Sequence, residues 1–158
     1  MPTHPLQGAK QFTVEILFRP SVGGEREQRF FHMQEDGSEN RVMFETRLVG
    51  NDHWFLDTFV KSGEQETTLY AENFPHELGP WHHVALVVDG KQMRHYVNGK
   101  FEMSAPHEFA PLGPGKTSVG MRINEVYWYR GDIRSARFTR QVLSVDEFCL
   151  LGKTVDRP

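Results

Sequence analysis

Apolar and polar residues alternate with a period of two along most of this chain, the spacing of a β-strand with one face on a core. Residues 41–49 give the clearest case. Val42, Phe44, Thr46 and Leu48 fall on one face, and Met43, Glu45, Arg47 and Val49 on the other. The same reading predicts strands over 12–18, 29–33, 53–61, 67–72, 117–123, 126–129 and 132–139. Turn-forming clusters separate them: Glu35-Asp36-Gly37-Ser38, Gly50-Asn51-Asp52 and Ser62-Gly63-Glu64. The stretch 105–115, with three prolines and two glycines, reads as the longest irregular loop.

Residues 81–100 add a hairpin. Asp89-Gly90 and Asn98-Gly99 tolerate the positive φ of tight turns and bracket two apolar runs. Val84, Leu86 and Val88 alternate with His83, Ala85 and Val87, so this strand is apolar on both faces and belongs in the middle of a covered sheet. About ten short strands imply a two-sheet sandwich, because a lone sheet would leave one apolar face wet. Ser144 followed by Glu147 forms a capping box and predicts one short helix of about two turns, ending at Gly152. A frayed tail is expected over 153–158.

Composition narrows the function classes. The 158 residues suit one domain, spanning 1–158 with its core over about 12–151. Such a chain buries roughly 70% of its unfolded surface and needs no covalent staple. Net charge is −3 with both signs interspersed, which argues against nucleic acid. No apolar run reaches the roughly 18 residues of a membrane span. The first residues lack the basic and apolar regions of a signal peptide. A lone cysteine, Cys149, permits no internal disulfide and reads as a buried, inert thiol beside Phe148 and Leu150.

Trp81-His82-His83-Val84-Ala85, then Asp89-Gly90 and Tyr96-Val97-Asn98-Gly99, resemble the core hairpin of laminin-G-like domains of the concanavalin A-like lectin/glucanase superfamily. Phe12-Thr13-Val14-Glu15 is similar to the family's early strand. Gly131-Asp132-Ile133, with Ala136-Arg137-Phe138-Thr139-Arg140, Leu143-Ser144 and Glu147, is similar to its late strand and helix. The resemblance implies an all-β, two-sheet antiparallel jelly roll, a secreted or cell-surface setting, and binding of glycans, proteins or calcium. Two departures stand out. Only about ten residues precede the Phe12 strand where the family has another strand, so an exposed edge open to homo-oligomer pairing is expected. Arg134 and Ser135 stand where many relatives carry an Asp-Glu pair that helps bind calcium, and a cation is a poor calcium ligand.

His82 and His83 point to opposite faces of a strand and cannot share a metal. His83 and His95 can approach across the hairpin, but a hydrogen-bonded core histidine explains His83 more simply, and no metal is assigned. Glu45 and Arg47 share a face with Asp57 on the next strand; they are the weak catalytic candidates, and structural ion pairing explains them as well. Arg47, Gln34, His32 and Tyr70 supply the residue types of polysaccharide lyases without a matching motif. No glucanase, lyase or triad motif occurs, so the chain leans away from being an enzyme, and no cofactor is assigned. Sugar rings stack on aromatic faces and their hydroxyls pair with Arg and Asn. Arg47, Trp54, Tyr70, Arg122, Asn124, Tyr127 and Trp128 are therefore the expected ligand-binding residues. The sequence thus predicts a non-catalytic module for glycan or another small polar ligand, acting through a sheet face and rim loops. A glycan hydrolase or lyase and a protein-interaction or self-assembly module are the alternatives.

Overall fold

The computed structural model describes residues 3–153. Eleven strands form in chain order: β1 (Phe12–Pro20), β2 (Glu27–Glu35), β3 (Arg41–Val49), β4 (His53–Ser62), β5 (Gln65–Tyr70), β6 (His76–Glu77), β7 (His82–Val88), β8 (Gln92–Val97), β9 (Lys100–Pro106), β10 (Gly115–Val119) and β11 (Gly131–Thr139). They make two antiparallel sheets. One has the order β11-β1-β7-β8-β9. The other has the order β10-β2-β3-β4-β5, with β6 paired to β4. This is the two-sheet sandwich expected from the pattern, in the all-β jelly-roll form that the resemblance implies.

Inward positions of both sheets interlock. Phe12, Val14, Ile16 and Phe18 of β1 meet Phe30, Val42, Phe44, Trp54, Leu56 and Val60 from the facing sheet, all without solvent contact. Phe18 stacks on Phe30 with centroids 4.4 Å apart and meets Trp54 edge-on at 5.1 Å. Trp54 was expected beside a turn with its ring free for a sugar. Alternation along β4 instead turns it inward with Leu56 and Val60, and its indole N–H donates to the Glu77 carbonyl at 3.2 Å. It holds the sheets together and offers no face to a ligand.

The far side of the five-stranded sheet is also covered. Ala85 and Val87 pack under Phe148, with Tyr96, Val142, Leu143, Val145 and Leu151 around them. Glu15 anchors this cover: its buried carboxylate accepts from the Leu150 amide at 3.0 Å and from His83 Nε2 at 3.1 Å. Burial alone would raise the Glu15 pKa; the bonds from His83 and Leu150, with the charges of His83 and Arg137, hold it below the usual carboxylate value. His83 is thus a hydrogen-bonded core residue. His95 sits on the opposite face of the hairpin, where its Nδ1 is 2.9 Å from Thr58 Oγ1, so the two histidines do not approach each other.

Several local expectations are corrected. The C-terminal helix is two 3-10 turns, Val145–Glu147 and Leu151–Lys153. The Glu147 carboxylate does accept from the Ser144 N–H and hydroxyl. The turn stops because Phe148 takes an extended backbone (ψ 111°) as its ring is drawn onto the sheet. Cys149 is exposed. β9, absent from the sequence reading, pairs with β8 through a register shift at His95/Tyr96 that hides the alternation. β1 is no edge: it lies between β11 and β7, and the segment before it packs Leu6 and Ala9 into the core. The expected frayed tail lies outside the described residues after Lys153.

Trp54→Ala is expected to lower unfolding free energy by about 3–5 kcal/mol in urea titrations, the loss for emptying a large core site. A drop under about 1 kcal/mol would mean that the indole is not a core residue.

Candidate functional site

The outward face of the six-stranded sheet carries a row of charges. Register sets Arg29 opposite Glu45, Glu45 opposite Asp57, and Asp57 opposite Tyr70, so one line crosses β2, β3, β4 and β5. Arg47 lies one step along β3, opposite Glu27. Arg29 Nε donates to Glu45 Oε1 at 2.7 Å. Arg47 donates to Asp57 Oδ2 through Nε at 2.9 Å, its Nη2 is 3.0 Å from Glu45 Oε2, and it also pairs with Glu27. The Glu45 and Asp57 side chains are only 3% exposed. Burial and the neighbouring Glu45 charge push the Asp57 pKa up to about 6, against the pull of Arg47.

The segment 120–130 lies along the outer side of β2. The Gly120 amide donates to the Phe30 carbonyl and the Arg29 amide to the Tyr127 carbonyl, both at 2.9 Å. Glu125 and Tyr127 take left-handed backbones, φ 60° and 56°. These two residues break the alternation expected of a strand over 126–129. Tyr127 and Tyr129 were expected on one face. Instead the Tyr127 ring lies 3.8 Å from the Arg29 guanidinium, while Tyr129 packs into the core near Phe18 and Phe30.

Beneath this segment is a set of unused donors. The Ile123 amide donates to His32 Nδ1 at 3.1 Å, which puts the ring proton on Nε2. That Nε2–H is buried and makes no well-formed hydrogen bond, with the Gln34 side chain its nearest polar neighbour. Arg29 Nη1, Arg41 Nε and Arg122 Nε are buried with no partner among the described residues. Burial, then the positive charges of Arg122, Arg41 and Arg29, push the His32 pKa down to about 4. Burial, with Arg29 and Arg41 nearby, also lowers the Arg122 pKa. Buried donors without acceptors are unfavourable, and three guanidinium groups around a neutral imidazole suit an anion.

Of the residues expected at a site, Arg47 and Tyr70 meet on this face with a guanidinium-to-ring distance of 5.6 Å. Arg122 and Tyr127 join it from the loop. Asn124 and Trp128 are exposed on the same loop, and the indole of Trp128 donates to the Glu125 carbonyl at 2.8 Å. Trp54 is not part of it. Glu45, Arg47 and Asp57 do cluster, as expected if β3 and β4 pair. Arg29, Glu27, His32 and Arg41 complete the face. Arg29 escaped notice because a bulge between Arg29 and Phe31 resets the period of β2. Among the described residues no three His, Cys, Asp or Glu side chains are set to hold a metal. Arg134, at the family's calcium position, has its guanidinium 5.9 Å from the Trp81 ring.

Residues 1–149 match the laminin G-like family model described as the Concanavalin A-like lectin/glucanases superfamily. No curated protein matches. Among solved structures, the heptameric SAP-like pentraxin of Limulus polyphemus is similar at 18% identity and TM-score 0.68, over 92% of this chain and 70% of that one. The CBM40 of the Ruminococcus gnavus IT-sialidase, bound to alpha2,6 sialyllactose, is similar at 20% identity and TM-score 0.64, over 92% and 83%. Domain 4 of the extracellular arabinanase AbnA of Geobacillus stearothermophilus, in complex with arabinotriose, is similar at 16% identity and TM-score 0.66, over 93% and 68%.

Arg47→Met strands buried Asp57 and takes from Glu45 one of its two arginines, and is expected to cost about 3–5 kcal/mol of stability by chemical denaturation. Adding Asp57→Asn should recover part of that loss. A double variant no more stable than the single one would show that the pair is not energetically coupled.

Proposed function

This chain belongs to the concanavalin A-like lectin/glucanase superfamily, and we propose that it is a non-catalytic carbohydrate-binding module that takes an acidic sugar on the outer face of its six-stranded sheet. The observation that carries this reading is the set of unpartnered guanidinium donors on Arg29, Arg41 and Arg122 around His32, beside the partly exposed rings of Tyr70 and Tyr127. The sugar carboxylate accepts from the guanidinium groups, and the ring lies against the tyrosines. The buried donors become available when the 120–130 segment shifts outward. Asn124 and Trp128 on that segment close over the ligand's far side. The similar Ruminococcus module is described with sialyllactose, whose terminal sugar carries a carboxylate, and the arabinanase domain with arabinotriose. Both lend support to a glycan. A glycan ligand fits a protein that works outside the cell or at its surface, the setting that the family resemblance implies. Among the described residues no helix is long and apolar enough to cross a membrane.

A glycan-active enzyme is the second reading, favoured by one observation. Asp57, with its pKa raised to about 6, faces Glu45 across two paired strands, as an acid and its partner carboxylate do in a glycosidase. It ranks second because Arg47 and Arg29 occupy both carboxylates. Release of sugar from a polysaccharide panel, lost in Asp57→Asn, would promote it.

Arg122→Ala and Tyr127→Ala are each expected to weaken sialyllactose binding by about tenfold or more in calorimetry, a loss of about 1.4 kcal/mol. Unchanged affinity in both would remove the site. Affinity for the acidic sugar should also rise by about threefold to tenfold as pH falls from 7.5 to 5.5. Asp57 is ionised above its pKa of about 6 and neutral below, so acid removes a negative charge beside Arg47. Lactose should show no such trend, and Asp57→Asn should abolish it.

A further inference from the structure

The outward face of β3 does not end at Arg47. The next outward position is Val49, roughly 7 Å further along the strand, and there the sheet runs into a groove between rim loops. One hollow of about 420 Å³ is lined by Gly24, Arg26, Leu48, Val49 and Gly50. Another of about 410 Å³ shares Gly24, Leu48 and Gly50 with it and adds Asn51 and Arg130. The two hollows share three lining residues and lie side by side at this rim.

Its walls are built. Gln28, buried at 1% exposure, donates through Nε2 to the carbonyls of Gly23 and Glu25 and accepts at Oε1 from the Arg130 amide. That side chain ties the β1–β2 loop to the start of β11. Gly24 takes φ 89°, and a Cβ there would come within 2.8 Å of Gln28 Nε2, so the backbone at this wall is bare. Gly50 takes φ 61° on the facing loop. The lining is mixed: Val22 and Val49, 61% and 42% exposed, give separate apolar contacts, Leu48 backs them from the core side, and Arg26, Asn51 and Arg130 give polar groups. No lining residue is acidic. Exposed valines edged by Arg and Asn fit the C–H face and the hydroxyls of a pyranose, and a volume in the usual ligand range leaves room for more than one ring.

We propose that this groove is a second subsite, which holds the neutral sugar residues that follow the acidic one, so that the module reads a short oligosaccharide and not a terminal sugar alone. The inference rests on the acidic-sugar reading of the sheet face, from which the chain would pass over Val49 into the groove.

Calorimetry on the full chain with two probes separates the two claims. The methyl glycoside of N-acetylneuraminic acid carries the acidic sugar alone, and sialyllactose adds two neutral residues. Wild type is expected to bind sialyllactose about tenfold more tightly than the monosaccharide. The double variant Val49→Ser/Arg26→Ala, both exposed positions outside the charged row, should bring that ratio close to one while leaving monosaccharide affinity unchanged. Equal affinities in wild type, or a ratio that survives the double variant, overturns the second subsite and leaves the sheet-face reading standing. Binding of neither sugar overturns both.

Discussion

The charged row on the outer face of the six-stranded sheet can persist only as a closed set of pairs. Glu45 and Asp57 are nearly removed from water, and a lone carboxylate in that position costs several kcal/mol. Arg29 and Arg47 stabilise it only because β2, β3 and β4 hold one register. A slip of one residue would turn the charges into the core. The apolar inner face is therefore what keeps the polar outer face in place.

That dependence runs through both sides of the sandwich. Trp54, Phe18 and Phe30 lock the facing sheets. Glu15 and His83 fasten the C-terminal segment over the other sheet. Both outer faces thus carry buried ionisable groups, with different consequences. Around Glu15 both carboxylate oxygens are matched to donors, and the result is a closed cover that leaves only His83 Nδ1 without a partner. Around His32 three arginines keep buried N–H groups without acceptors. That mismatch is the ground for the proposed ligand face, since buried polar groups left unpaired call for an explanation.

Much of the architecture was legible in the chain. The alternation in 41–49 placed Glu45 and Arg47 on the outer face correctly, and the two Gly-containing turns fixed the hairpin that carries β7 and β8. Legibility failed wherever the backbone departs from a regular period. The bulge at Arg29/Phe31 hid Arg29, and the shift at His95/Tyr96 hid β9. Left-handed Glu125 and Tyr127 turned an expected strand into a segment lying on β2. Trp54 shows a different failure. A tryptophan beside a turn looks accessible, and only the inward phase of β4 shows that it is not.

The sequence by itself determined the two-sheet sandwich, the hairpin and the face on which Arg47 and Asp57 would stand, because each follows from a local period and local turn chemistry. Which charges meet, which donors stay unpaired and which aromatic rings reach solvent were decided only by the tertiary structure. Those properties arise between residues far apart in the chain. Arg29 finds Tyr127, and His32 finds Ile123, only after β2 is paired and the 120–130 segment is laid along it. Local sequence cannot encode that contact, because its energy comes from burial that exists only once both sheets have closed.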